Sequence, residues 1–296
     1  MNKADLHPIE LTPLSNRRGD GGEALYGLVG YPLGHSFSRA FFNNMFAREG
    51  MNAEYQNFEL PSIEALPQLI ADHPNLRGLN VTIPYKQAVI PYLDKLSNEA
   101  RAIGAVNVIR IVRSADPERR TILKGYNSDI IGFTDSIRPL LQPHHKKALV
   151  LGTGGASKAI CRGLEQLGIE WRYVSRKPIT VPEGPITVPE GSITVPEGSP
   201  EGSVLSYSAI TPALLADYTV IINCTPLGMY PNTDAAPTIP YAALSPRHLL
   251  YDLVYNPEVT LFMREGRRFG ATVKNGLEML HLQALASWKF WNEQDT

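Results

Sequence analysis

The stretch from Lys147 to Val174 constrains this chain more than any other. Ala148-Leu149-Val150-Leu151 is a short apolar run that leads directly into Gly152-Thr153-Gly154-Gly155-Ala156-Ser157. Ala156, Ile160, Leu164 and Leu167 then recur on one helical stripe, closed by Gly168, and Ile169 to Val174 reads as a second strand. Strand, glycine turn, helix and strand together occupy the roughly 30 residues that a βαβ unit needs. At such a turn Gly152 permits the tight bend, and Gly154 keeps a side chain out of the way. The small Ala156 and Ser157 let the helix pack on the strand. The first N–H groups of the helix then face a ligand phosphate, which is how dinucleotide pyrophosphates are held. Gly152, Gly154, Gly155, Ala156 and Ser157 are therefore the candidate cofactor cradle.

The end of the second strand selects the cofactor. A site for NAD places a carboxylate there for the ribose 2′-hydroxyl, whereas this chain has Ser175-Arg176-Lys177. A carboxylate would repel a 2′-phosphate, and a guanidinium binds one with paired hydrogen bonds. Ser175, Arg176 and Lys177 thus point to NADP.

The rest of the chain has the same rhythm. Leu25–Gly30, Ala53–Leu60, Leu76–Val81, Ala105–Arg110, Tyr218–Cys224 and His248–Val254 read as strands. Arg39–Glu49, Ser62–Ala71, a segment from Glu99, a segment from Ile130, Leu261–Phe269 and Leu277–Trp291 read as helices, with Ser62 an N-cap. Strands alternating with helices predict an α/β fold with mainly parallel sheets. One stretch breaks the pattern. Ile-Thr-Val-Pro-Glu-Gly recurs with a seven-residue period from Ile179 and fades by Ser203. Proline and glycine in every unit forbid a helix, and each unit buries too little to offset its ordering, so 179–203 is read as a low-complexity surface loop.

Composition excludes other classes. The formal net charge is −1, which speaks against a nucleic-acid partner. The two cysteines, Cys161 and Cys224, form no CxxC, and the seven histidines have no metal-ligand spacing, so no metal site is expected. His144-His145, between Pro143 and two lysines, reads as a solvated turn. No apolar run approaches the ~20 residues that span a bilayer, so no membrane partner is expected and a reducing cytoplasm is the expected home. Residues 1–24 mix charges with proline and glycine, lack the apolar segment of a signal peptide, and are read as a flexible extension.

Several short motifs occur in a telling order. They are Gly30-Tyr31-Pro32 with His35-Ser36-Phe37-Ser38, Asn80-Val81-Thr82-Ile83-Pro84-Tyr85-Lys86, Gly104-Ala105-Val106-Asn107, and Gly125-Tyr126-Asn127-Ser128-Asp129. After the glycine turn come Asn223-x-Thr225-Pro-Leu-Gly228-Met229, Asp252-Leu-Val-Tyr255-Asn-Pro257 and Asn275-Gly276-x-x-Met279-Leu280-x-x-Gln283. This series resembles the shikimate dehydrogenase family over about residues 25–291, the repeat excepted.

The resemblance implies reversible NADPH-dependent reduction of 3-dehydroshikimate to shikimate. It carries Lys86 and Asp129 over as the catalytic pair. The chemistry fits, because hydride addition to a ketone leaves a developing alkoxide that needs a proton and nearby positive charge. A lysine ammonium supplies both, and a carboxylate can orient it. Asp129 is also placed to cap the helix from Ile130. Shikimate bears a carboxylate and hydroxyls, and the resemblance implies Ser36, Ser38, Thr82, Asn107 and Gln283 as its contacts, joined by Asn80 and Tyr255. Thr225, Met229 and Gly276 are added to the cofactor set. Arg39 stands where the family usually has proline, and Ile130 where it usually has glycine after the aspartate.

The expected architecture is two α/β domains with a cleft between them. The substrate domain is expected to be residues 25–128 with 276–296, and a Rossmann-like NADP domain 129–275. Two alternatives stay open: a quinate/shikimate dehydrogenase using NAD, and a non-catalytic homologue that binds shikimate or nucleotide. Monomer and homodimer are equally compatible with the sequence.

Overall fold

The computed structural model describes residues 23–34, 36–114, 120–176 and 204–293. The repeat, the N-terminal extension, His35 and Lys177 lie outside them.

The first half contains β1 (Ala24–Gly30), α1 (Phe37–Arg48), β2 (Ala53–Glu59), α2 (Leu66–Asp72), β3 (Leu76–Val81), α3 (Tyr85–Ala88), β4 (Lys95–Leu96), α4 (Asn98–Ile103), β5 (Val108–Val112) and β6 (Ile122–Tyr126). Its sheet has the order β2-β1-β3-β5-β6-β4. β1 runs parallel to β2 and β3, but β5 is antiparallel to both β3 and β6. β4 is again parallel to β6, so the sheet is mainly parallel, as expected, with β5 its one reversed strand among the described residues. Among the described residues no helix lies between β5 and β6, and without a crossover a neighbouring strand must return antiparallel. β5 also starts later than expected, at Val108. Val106 N–H donates to Lys86 O and Asn107 N–H to Tyr126 O, so Ala105–Asn107 is occupied in holding the ends of other elements. The expected helix at Ser62 is split. Ser62 accepts from Glu64 N–H and caps a single tight turn, Ile63–Ala65, before α2.

The second half contains α5 (Asp129–Ile137), β7 (Lys147–Leu151), α6 (Gly155–Gln166), β8 (Glu170–Ser175), β9 (Val204–Ser206), α7 (Pro212–Asp217), β10 (Val220–Asn223), β11 (Leu249–Asp252), α8 (Leu261–Arg268), β12 (Thr272–Lys274) and α9 (Leu277–Trp291). All six strands are parallel, in the order β12-β11-β10-β7-β8-β9. The central strands β10 and β11 are buried along their whole length, as a sheet covered on both faces requires. The chain leaves β7 for β8 on one side and later returns to β10 on the other. The strand order thus reverses at β7, and such a switch point opens a crevice at the carboxyl ends of the strands.

Two helices tie the halves together. α5 and α9 cross so closely at Gly132 that an added Cβ would lie 2.6 Å from Met279 O and 3.0 Å from Gln283 Cβ. Only glycine fits there. α9 starts in the second core, where Met279 packs with Phe133 and Tyr251, and ends in the first, where Trp288 and Trp291 pack with Tyr26, Phe42 and Phe46.

His145 departs from its expected solvated position. It is buried: its Nδ1 accepts from Gln142 N–H (2.9 Å) and its Nε2–H donates to Arg247 O (3.1 Å). His145 N–H also donates to Gln142 O (2.9 Å), closing a turn just before β7 that holds the ring in place. Burial pushes its pKa below the ordinary 6.5. A depressed folded-state value adds stability above the unfolded pKa, and that stability is lost as pH falls from about 6.5. His145→Gln should be less stable than the parent at pH 7 by about 1 kcal/mol, the value of one such hydrogen bond. The gap should narrow as pH falls below about 6.5. Urea unfolding of both proteins across this range checks it; a gap that stays constant with pH would refute it.

Candidate active site

The site is assembled from short, firmly held pieces. Tyr85 opens α3, and its buried ring and its hydroxyl, bonded to Leu60 O, anchor that turn. Lys86 is the next residue. Asp129 opens α5, with its N–H donated to Asn127 Oδ1 (3.1 Å), and Asn127 Nδ2 in turn donates to Ala105 O (3.0 Å). These restraints bring Lys86 Nζ to 2.6 Å from Asp129 Oδ2, with side-chain exposures of 20% and 12%. Asp129 therefore does not cap the helix. α5 begins at Asp129 itself after Ser128, and the carboxylate turns to the ammonium instead.

Both charges face a cavity of ≈370 Å³ at the carboxyl ends of β1 and β3. Ser36, Ser38, Asn80, Thr82, Asn107 and Gln283 line it, and Tyr255 closes it from the second half, beside Leu253. All nine residues expected at the catalytic and substrate positions are thus brought together. Ser36 also caps α1, accepting from Arg39 N–H (3.2 Å). Proline, the residue the family usually has at that position, could not donate this bond. Ile130, the other departure, is buried against Ile103, Ala105 and Ala159, in a small apolar contact between α4 and α6.

Behind the amides runs a layer that the sequence did not reveal. Tyr55 Oη donates to Asn80 Oδ1 (2.8 Å), and Asn80 Nδ2 donates to Ser287 Oγ (2.9 Å). Asn107 Nδ2 donates to Ser128 Oγ (3.1 Å), which lies 3.2 Å from Ser287 Oγ. Ser287 Oγ–H donates to Gln283 O (2.9 Å). Ser128 and Ser287 are fully buried, and this chain of neutral hydrogen bonds fixes which way each amide points. A serine on a helix carries no sequence signal for such a role.

The expected cofactor residues fall at the other end of the cleft. Gly152 has φ +97°, which a side chain rarely adopts, and an added Cβ would lie 2.8 Å from Thr225 Cγ2. Gly154 is the N-cap of α6 and Gly155 its first residue, with no side-chain cap. A Cβ on either would stand in open space with no atom within 4 Å, so an open cradle lies before the helix N-terminus. That shape suits a pyrophosphate. Ser157 is buried and hydrogen-bonds back to Gly154 O (2.6 Å), which tightens the turn. Ser175 ends β8 and is buried, while Arg176 is exposed just beyond it. Thr225 turns inward, giving its hydroxyl to Asn223 Oδ1 (2.6 Å), and Met229 is 46% exposed. Gly276 differs from the other cofactor candidates: it sits in the wall of the substrate-side cavity, against the Leu253 backbone. Among the described residues no acidic, histidine or cysteine cluster could hold a metal ion, and no helix is long and apolar enough to cross a membrane.

Comparison with known proteins agrees with this geometry. Residues 28–109 match the shikimate dehydrogenase substrate binding domain. The shikimate dehydrogenase (NADP(+)) of Desulforamulus reducens is 34% identical over 277 residues, covering 92% of this chain and 91% of that protein. The chorismate mutase/shikimate 5-dehydrogenase fusion protein from Clostridium acetobutylicum superimposes with a TM-score of 0.75 at 33% identity, over 93% of both chains. The shikimate 5-dehydrogenase from Thermus thermophilus, solved in complex with NADP(H) and shikimate, gives 0.71 at 28% identity, over 90% of this chain and 93% of its own. The chain therefore belongs to the shikimate dehydrogenase family.

Proposed function

We propose that this protein is an NADP-dependent shikimate dehydrogenase, an oxidoreductase that acts on a CH–OH group and interconverts 3-dehydroshikimate and shikimate. The observation that carries this reading is the Lys86–Asp129 pair, 2.6 Å apart, facing a cavity whose other polar lining is hydroxyls and amides. A cavity of ≈370 Å³ is of a size for one small ring compound. Ser36 and Ser38, at the start of α1, receive the carboxylate, favoured there by the helix dipole. Asn80, Thr82, Asn107, Tyr255 and Gln283 sort the ring hydroxyls.

When bound, NADP supplies or accepts the hydride. The residues that hold it are Gly152, Gly154, Gly155, Ala156 and Ser157 at the α6 N-terminus, with Ser175 and Arg176 toward the 2′-phosphate. Thr225, Met229 and Gly276 complete the set. Lys86 Nζ–H gives its proton to the oxygen that becomes the substrate hydroxyl, and in the oxidation direction the same nitrogen takes it back. Asp129 holds the ammonium in place and balances its charge. The two α/β domains divide as residues 25–128 with 276–296 for substrate and 129–275 for cofactor, so the cleft between them is where the two ligands meet. A cytoplasmic location suits the two free cysteines, Cys161 and Cys224.

The test is a four-way assay of shikimate and quinate, each with NADP and with NAD. Shikimate with NADP should give the highest kcat/KM. A faster reaction of quinate with NAD would overturn the assignment, and no turnover in any combination would leave a binding protein.

A further inference from the structure

Asp252 is fully buried at the end of β11 and makes no ion pair among the described residues. Three neutral donors converge on it from three segments. Its Oδ1 accepts from Asn223 Nδ2 (2.9 Å) and Val254 N–H (3.0 Å), and its Oδ2 from Thr260 Oγ1 (2.6 Å). Burying a carboxylate without a counter-charge is costly; burial pushes its pKa up to about 6, against the pull of those hydrogen bonds. A group kept at such a cost invites a question about what it holds.

The partners answer it. Asn223 is the register neighbour of Asp252 on β10. Its other amide atom, Oδ1, accepts from Thr225 N–H (3.0 Å) and Thr225 Oγ1 (2.6 Å), and Thr225 Oγ1 accepts from Leu227 N–H (3.3 Å). An added Cβ on Gly228 would lie 3.4 Å from Thr260 Cβ, so this loop rests on the third partner as well. In the other direction, Val254 follows Leu253 and precedes Tyr255, both of which line the substrate-side cavity. One carboxylate therefore connects the loop Thr225–Met229 with the segment Leu253–Tyr255.

We infer that Asp252 is a positioning residue that sets the cofactor-side loop and the substrate-side wall in a fixed relation. This rests on the reading of Thr225 and Met229 as cofactor contacts. Asp252 touches neither ligand; it acts through Asn223, Val254 and Thr260. Removing it frees both segments at once, so both ligands should feel the loss. An amide in its place keeps the arrangement. The Asn oxygen accepts from Asn223 and Val254, and its NH2 donates to Thr260, whose hydroxyl rotates to accept.

The experiment uses the full chain as wild type, Asp252→Ala, Asp252→Asn and Thr260→Val. NADPH affinity is read by fluorescence titration of the protein without substrate, and kcat and both KM values by initial rates. Asp252→Ala should weaken NADPH binding and raise the shikimate KM together, each about tenfold, as small misplacements of binding groups do. Asp252→Asn should restore both to within about threefold. Thr260→Val, which loses one of the three donors, should shift both in the same direction by a smaller factor, and it carries the test if Asp252→Ala does not fold. The inference is overturned if Asp252→Ala and Thr260→Val lose thermal stability but keep wild-type affinities, or if Asp252→Asn is as impaired as a folded Asp252→Ala. Wild-type protein that binds neither NADPH nor shikimate would sink the functional reading along with it, so the two failures are distinct.

Discussion

Lys86→Met should lower kcat for shikimate oxidation by about a thousandfold, within the range that a positioned proton donor contributes. NADPH binding, read by fluorescence, should stay near the wild-type value, because the residues proposed for the glycine cradle are untouched. The argument begins with geometry. Lys86 Nζ lies 2.6 Å from Asp129 Oδ2, and both side chains border the cavity. Methionine keeps the length and apolar stem of lysine, so the cavity keeps its shape while losing the ammonium beside the carboxylate. Asp129 is then left partly buried without its partner, and the variant should also be less stable than the parent. Asp129→Asn complements it: the ammonium remains but loses its anchor, and kcat should fall less than in Lys86→Met. A Lys86→Met protein with kcat within tenfold of wild type would remove Lys86 from the chemistry.

Arg176→Ala should raise the KM for NADP by about ten- to a hundredfold, the equivalent of one charge-assisted hydrogen-bonded contact. The KM for NAD should barely move, and kcat with either cofactor should be preserved. The expectation follows from position: β8 ends at Ser175, beside β7 and its glycine turn, and Arg176 is the next residue. Its exposure favours the lower end of that range, since water competes for the same contact. Steady-state kinetics with both cofactors check it. An equal loss with NADP and NAD would mean that Arg176 does not read the 2′-phosphate.

Much of this molecule was legible before any fold was known, and the residues show why. The strand, glycine turn and helix from Lys147 to Gln166 announce themselves because each step is local: an apolar run, a residue that must take positive φ, a helical stripe. The all-parallel order of the second sheet follows from the same alternation. β6, β9, β12 and the two-residue β4 stayed hidden, since strands this short carry too few alternations to stand out from loop. The antiparallel turn of the first sheet was lost with β6. His145 was misjudged because charged and polar neighbours in sequence say nothing about the underside of a strand. The Lys86–Asp129 pair was reached through family resemblance, and no spacing rule would have found it. The two residues are 43 apart, and they meet only because Val106 and Asn127 pin α3 and the start of α5 to a common segment. The role of Ser287 was invisible because it is a small polar residue inside helix-forming sequence, and that of Ser128, although it stands in a quoted motif, because its partners Asn107 and Ser287 are distant in the chain.

The path of α9 has a consequence for how the protein comes into being. Tyr26, Phe42 and Phe46 are made before the second sheet, whereas Trp288 and Trp291, which cover them, are made only after it. The first sheet thus waits with an aromatic face uncovered while the second sheet, built from residues in between, is synthesised. Domains normally mature in the order they are synthesised. Here the earliest one is finished last, by a helix that reaches it only after passing through the core of the other. Both must close in a single late event, and a chain arrested shortly before Trp288 would expose its stickiest surface to its surroundings.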